Sequence, residues 1–139
     1  MLVSEVEPWV MRWQISGDRA ACQEVIASVQ AALTNADLGD TVAFAVRLAL
    51  EEALANAVRH GHIGDQSRTI EVLAEVSACN VRLEVADEGT GFDPSSVPDP
   101  TADENLTIAS GRGLSLIRAF MTDVKVVPPG NRIVMNYIP

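Results

Sequence analysis

The segment from Asp40 to about His60 constrains this chain more than any other. Its helical wheel places Val42, Ala45, Val46, Ala49 and Ala53 on one stripe, and Leu50, Leu54 and Val58 on a neighbouring one. So wide an apolar surface must be largely covered, and other segments supply the cover. Trp9, Met11, Trp13 and Ile15 alternate with Val10, Arg12 and Gln14 as a strand. Asp18 is placed to cap a helix ending near Asn35, and Asp40 or Thr41 to cap the long one. Two alternating strands follow, around Thr69–Ser77 and Val81–Val85, with a tight hairpin turn at Cys79-Asn80. From Asp87 to about Ser110 glycines, prolines and polar residues predict a long loop, the size of a functional lid or a disordered segment. An amphipathic helix is expected from Leu114 to Met121. Strands at Val124–Val127 and Arg132–Ile138 then close the chain around a turn at Pro128–Asn131. The order β-α-α-β-β-loop-α-β-β predicts an α+β fold. It reads as a two-layer α/β sandwich with helices on one face of a mixed, mostly antiparallel sheet, in a single domain spanning residues 1–139.

Composition narrows the function. The 139 residues include 19 acidic and 10 basic ones, for a formal charge of −9. A nucleic-acid partner is therefore not expected, because phosphate-backbone affinity comes from Lys and Arg. Lys125 is the one lysine and no glycine-rich loop precedes it, so a P-loop is excluded. Cys22 and Cys79 form no CxxC pair, and His60 and His62 are the only histidines, which argues against a structural zinc site. The acidic start Met1-Leu2-Val3-Ser4-Glu5 does not read as a signal peptide, and charged residues interrupt every apolar run short of membrane-spanning length. A soluble, cytoplasmic protein is expected.

Three local patterns break the core logic. Glu52, Asn56 and His60 lie four apart on the long helix and continue the stripe of Val42, Ala45 and Ala49, so polar groups stand where apolar ones belong. They can be read as a helix-end salt-bridge or capping group before Gly61. They can also be read as oxygen ligands for a hard cation beside a carboxylate base. Second, strand alternation puts Asp87 of Asp87-Glu88-Gly89-Thr90-Gly91 on the buried face of Val81, Leu83 and Val85. There it can accept from an exocyclic amine of a planar ligand, or from Arg82 or Arg112, while Gly89 and Gly91 allow close backbone approach. Third, Ser110-Gly111-Arg112-Gly113-Leu114 opens a helix, either as a hinge or as an anion site built from backbone amides, with Arg112 adding charge at its mouth.

Taken together and in this order, these segments resemble the N-box, G1 box and G2 box of the GHKL superfamily, the Bergerat ATP-binding fold. Among its branches the chain looks most like the small anti-sigma-factor serine kinases. The segments that carry this are Glu52–Gly61 and Gly111–Val124, and the likeness extends to the closing strand. The resemblance implies ATP and Mg²⁺ as cofactors. It makes Asn56 the Mg²⁺ ligand, Glu52 the general base and Asp87 the acceptor for the adenine amino group. Gly89 and Gly91 then shape the adenine pocket, and Gly111, Arg112, Gly113 and Leu114 form the phosphate-binding helix start. Glu51, turned about 100° from Glu52, goes to solvent or to a supporting role. The implied activity is that of an anti-sigma factor and protein serine/threonine kinase. It phosphorylates a serine or threonine on an anti-sigma-factor antagonist, with a sigma factor as second partner and a homodimer as its assembly. The competing expectations are an ATP-binding regulatory module without transfer, and a switch kinase for a different regulator.

Overall fold

The computed structural model describes residues 8–61, 69–87, 109–127 and 132–139. In chain order the elements are β1 (Trp9–Ile15), α1 (Arg19–Asn35), α2 (Asp40–Gly61), β2 (Ile70–Val76) and β3 (Val81–Ala86). Then come α3 (Ala109–Phe120), β4 (Asp123–Val127) and β5 (Arg132–Tyr137). The long polar loop and the turn at Pro128–Asn131 lie outside the described residues.

Helix boundaries follow local chemistry. The Ala21 amide donates to Asp18 Oδ1 at 2.8 Å, and the Ser16 hydroxyl donates to the other carboxylate oxygen at 2.9 Å, so Asp18 caps α1 as expected. At the far end Asp37 adopts a left-handed φ of 56°. Its amide donates to the Thr34 carbonyl, and the Leu38 amide to that of Leu33, the double closure of a Schellman turn. The next helix starts on Asp40 itself. Its cap position is Gly39, whose φ of 91° suits glycine and whose carbonyl accepts from the Ala43 amide. Asp40 therefore sits in the first turn, where a carboxylate favours the helix dipole without capping.

The sheet order is β1-β2-β3-β5-β4, and all four pairings are antiparallel, so the expected mixed component is missing from the described strands. Serine chemistry closes the β2–β3 hairpin: Ser77 N–H donates to the Asn80 carbonyl, and Ser77 Oγ accepts from the amides of Cys79 and Asn80. Register separates the two faces. Trp13, Val72, Val85, Ile133 and Val126 share one cross-strand row, while Arg12, Leu73, Glu84, Val134 and Lys125 share the adjacent row on the opposite face. The first face is covered by helices: α1 packs on β1 and β2, α2 on β2, β3 and β5, and α3 on β4.

Between α1 and α3 on this layer, α2 touches both. Val46, Ala49, Leu50, Ala53 and Leu54 are all at most 2 % exposed, as its two stripes require. On the opposite face, which no described helix covers, Glu84 receives Arg82 at 2.9 Å and Arg132 at 3.0 Å, and Arg132 also approaches Glu71 at 3.7 Å. Ion pairs within β3 and from β5 to β3 and β2 thus line this face. No helix among the described residues is long and apolar enough to cross a membrane.

Candidate functional site

Asn56 is the one buried polar side chain among the described residues, 2 % exposed between the buried Ala53 and Ala57. The apolar stripes of α2 force its face inward, and the sequence continues that face with an amide. Burial of an amide is costly unless a polar group meets it, so this position is chemically marked. One turn earlier Glu52 is half-buried on the same helix face. Glu51 points elsewhere: its carboxylate lies 3.4 Å from Arg47 Nε, an i,i+4 pair that withdraws it from the Glu52–Asn56 face. This pair supports the assignment of Glu51 to a peripheral role. His60 falls in the last turn, and its side chain lies outside the described residues.

Two observations show which of the candidate residues share an end of the fold. Phe44, near the start of α2, packs edge-on against Phe120, the last residue of α3, with ring centroids 5.7 Å apart. The two helices are therefore antiparallel, and the start of α3 lies alongside the second half of α2, about 18 Å from Phe44 at the level of Asn56. Tyr137 lines the same cleft as Phe44 and Phe120, and it pairs with Val81, the first residue of β3. Five residues on, Ala86 and Asp87 lie some 16 Å away along the strand, toward that same second half of α2. Topology thus gathers Glu52, Asn56, Asp87 and the Gly111–Gly113 turn at one end of the molecule.

Two expectations need adjustment. The strand ends at Ala86, so Asp87 is the first residue beyond β3 and is half-buried, where a buried strand position was expected. The third helix begins at Ala109, five residues before the expected start at Leu114, and takes Gly111, Arg112 and Gly113 into its first turns. In that geometry the Gly113 amide donates to the Ala109 carbonyl, and the amides without an intrahelical acceptor are those of Ala109, Ser110 and Gly111. Leu114 is 3 % exposed and anchors this turn to the core. The side chain of Arg112, and Gly89 and Gly91 altogether, lie outside the described residues. No group of three His, Cys, Asp or Glu side chains comes together as a metal site among the described residues.

Comparison with known proteins places the chain in a family. Residues 15–137 match the family described as the histidine kinase-like ATPase domain. The serine-protein kinase RsbW of Oceanobacillus iheyensis is 31 % identical over 88 residues, 58 % of this chain and 55 % of that protein. The serine/threonine-protein kinase BtrW of Bordetella bronchiseptica is 32 % identical over 80 residues, 56 % of each chain. The chain thus spans about half the length of the curated relatives it matches. A solved structure of the RsbU and RsbW domains of a Mycobacterium tuberculosis protein aligns with a TM-score of 0.63 at 18 % identity. It covers 92 % of this chain and 31 % of that one, a likeness of fold. With the family matched from the last residue of β1 through β5 and its fold reproduced, the chain belongs to the histidine kinase-like ATPase domain family, the GHKL superfamily whose boxes its sequence resembles.

Proposed function

We propose that this chain is an ATP-dependent protein serine/threonine kinase and anti-sigma factor that phosphorylates an anti-sigma-factor antagonist. The observation that carries the reading is the buried Asn56 amide one turn beyond Glu52, on a covered helix face beside the glycine-bearing start of α3. The RsbW and BtrW relatives, named as serine-protein and serine/threonine-protein kinases, support it. Partner switching with a sigma factor, self-association and a cytoplasmic location belong to the same reading.

In this mechanism Asp87 accepts from the adenine amino group, with Gly89 and Gly91 beside the ring. The amides at the start of α3 bind phosphate oxygens, as first-turn donors do without any lysine, and Arg112 adds charge there. The residues fit Mg²⁺: a cation held mainly by substrate phosphates needs one or two protein oxygens, and the Asn56 amide offers one. When bound, Mg²⁺ supplies charge neutralisation across the phosphates. Glu52 accepts the proton of the incoming serine hydroxyl as its oxygen bonds to the γ-phosphorus and the bond to the ADP oxygen breaks. Little covalent work is asked of the protein beyond positioning and that proton transfer.

The test is intact-mass analysis of the chain and a candidate antagonist after incubation with Mg-ATP. Phosphate on the antagonist is expected, and Glu52→Gln should lower its rate by about 10²–10⁴-fold, the usual worth of a general base, while nucleotide affinity stays within a few-fold. Nucleotide binding without transfer to the antagonist would leave a regulatory module in place of a kinase. Unimpaired transfer by Glu52→Gln would remove Glu52 from the base role.

A further inference from the structure

The end of the molecule opposite the Glu52–Asn56 turns carries a second feature. The whole chain has six aromatic residues, and three of them, Phe44 from α2, Phe120 from α3 and Tyr137 from β5, meet at one surface cleft of about 390 Å³. Phe44 is 59 % exposed, although a phenylalanine on a surface helix could have turned inward or been polar. Its ring meets Phe120 edge-on without being covered. Thr41, Ala45 and Ala119 complete the cleft's lining, and the Ile138 amide, next to Tyr137, is tied to the Thr122 hydroxyl just beyond α3. In this aromatic setting stands one charge, Asp40, which has no ion pair among the described residues. As the first residue of α2 it faces the half positive charge of a helix start, which a full carboxylate charge outweighs.

We propose that this cleft is a docking site for an arginine side chain of a protein partner, separate from the nucleotide end of the fold. Each part of a guanidinium finds its complement here. The planar face stacks on aromatic rings, the charge pairs with Asp40, and the aliphatic stem lies along Phe44 and Ala119. Charge complementarity selects this occupant. Among the described residues the cleft offers an unpaired anion and no cation, and the chain's −9 charge draws basic surfaces toward it from a distance. Arginine and aromatic residues are also the side-chain types that dominate binding energy at protein interfaces. Because α2 and α3 each run from this cleft to the Glu52–Asn56 end, a partner seated here grips the far ends of the two helices that carry the proposed kinase residues. The docking itself does not depend on nucleotide chemistry.

The probe is the peptide Ac-Gly-Arg-Leu-Arg-Gly-NH₂, titrated into ¹⁵N-labelled protein without nucleotide and followed by amide chemical shifts. Saturable shifts at Asp40–Ala45, Ala119–Phe120 and Tyr137 are expected, with a dissociation constant below about 1 mM, and no saturation with Ac-Gly-Glu-Leu-Glu-Gly-NH₂. Phe44→Ala should weaken binding about tenfold and Asp40→Asn at least threefold. Phe44 is exposed enough that its variant should keep the wild-type fold, checked by an otherwise unchanged spectrum. Shifts that avoid the cleft, equal binding of the acidic peptide, or wild-type affinity in both variants would overturn the proposal. So would movement of the same amides on simple dilution, which would give the face to a second copy of the chain.

Discussion

Replacing Ile117 with alanine tests how the start of α3 is held in place. Ile117 is 0 % exposed on the core side of the helix, whereas Leu116, its neighbour in sequence, is 39 % exposed. Truncating a fully buried isoleucine removes its transfer free energy and leaves a cavity, together about 2–5 kcal/mol. For a chain of 139 residues the entropy of unfolding near its midpoint is about 0.3 kcal/mol/K, so Ile117→Ala should lower the melting temperature by about 7–17 °C. Ile117→Val, which removes one methylene group, should cost about 0.5–1.5 kcal/mol and a few degrees. Leu116→Ala should stay within about 0.5 kcal/mol, as surface substitutions do. Urea and thermal unfolding of the three variants measure this, with an unchanged urea slope as the check that the unfolded state is the same. A loss below about 1 kcal/mol for Ile117→Ala, or an equal loss for Leu116→Ala, would refute the packing of α3 described above. With it would go the placement of the Gly111–Gly113 turn beside Asn56.

Two further outcomes follow from local chemistry. The Asp18 carboxyl is held below its ordinary value of 3.8, first by the Ala21 amide and then by the Ser16 hydroxyl. A lowered folded-state value means this contribution is fully present above pH 3.8 and is lost as pH falls through the folded value. The melting-temperature gap between wild type and Asp18→Ala should therefore be open at pH 7 and close in acid, and a gap constant down to pH 2.5 would count against the cap. The two thiols should also separate. Burial, and secondarily the Asp18 charge, raise the Cys22 thiol above its ordinary value, whereas Cys79 is exposed in the hairpin turn. Thiol titration with 5,5′-dithiobis(2-nitrobenzoate) at pH 8 should give one fast and one slow phase, with Cys79→Ser removing the fast one.

What the sequence carried was whatever depends on neighbours along the chain. Alternation marked β1, β2 and β3 within a residue of their ends, and Asp18 announced the start of α1, because these rest on side-chain period and on hydrogen bonds spanning three residues. The amide at Asn56 stood out because it interrupts an apolar stripe of a helix that must be covered, and its 2 % exposure fits that reading. Where chemistry alone left a choice, the sequence misled slightly. Asp40 looked like a cap, yet Gly39 holds that place. Gly111-Arg112-Gly113 looked like the opening of a helix that starts at Leu114, whereas the helix runs back to Ala109 and takes both glycines into its first turns.

Only the tertiary structure decided which residues share an end of the molecule. Antiparallel packing of α2 on α3 and the Val81–Tyr137 register set Glu52, Asn56 and Asp87 at one end. The same packing joined Phe44, Phe120 and Tyr137, drawn from 94 positions of chain, at the other. No periodicity encodes such meetings, because they depend on how helices and strands orient when their apolar faces are buried together, and that orientation is a property of the whole core.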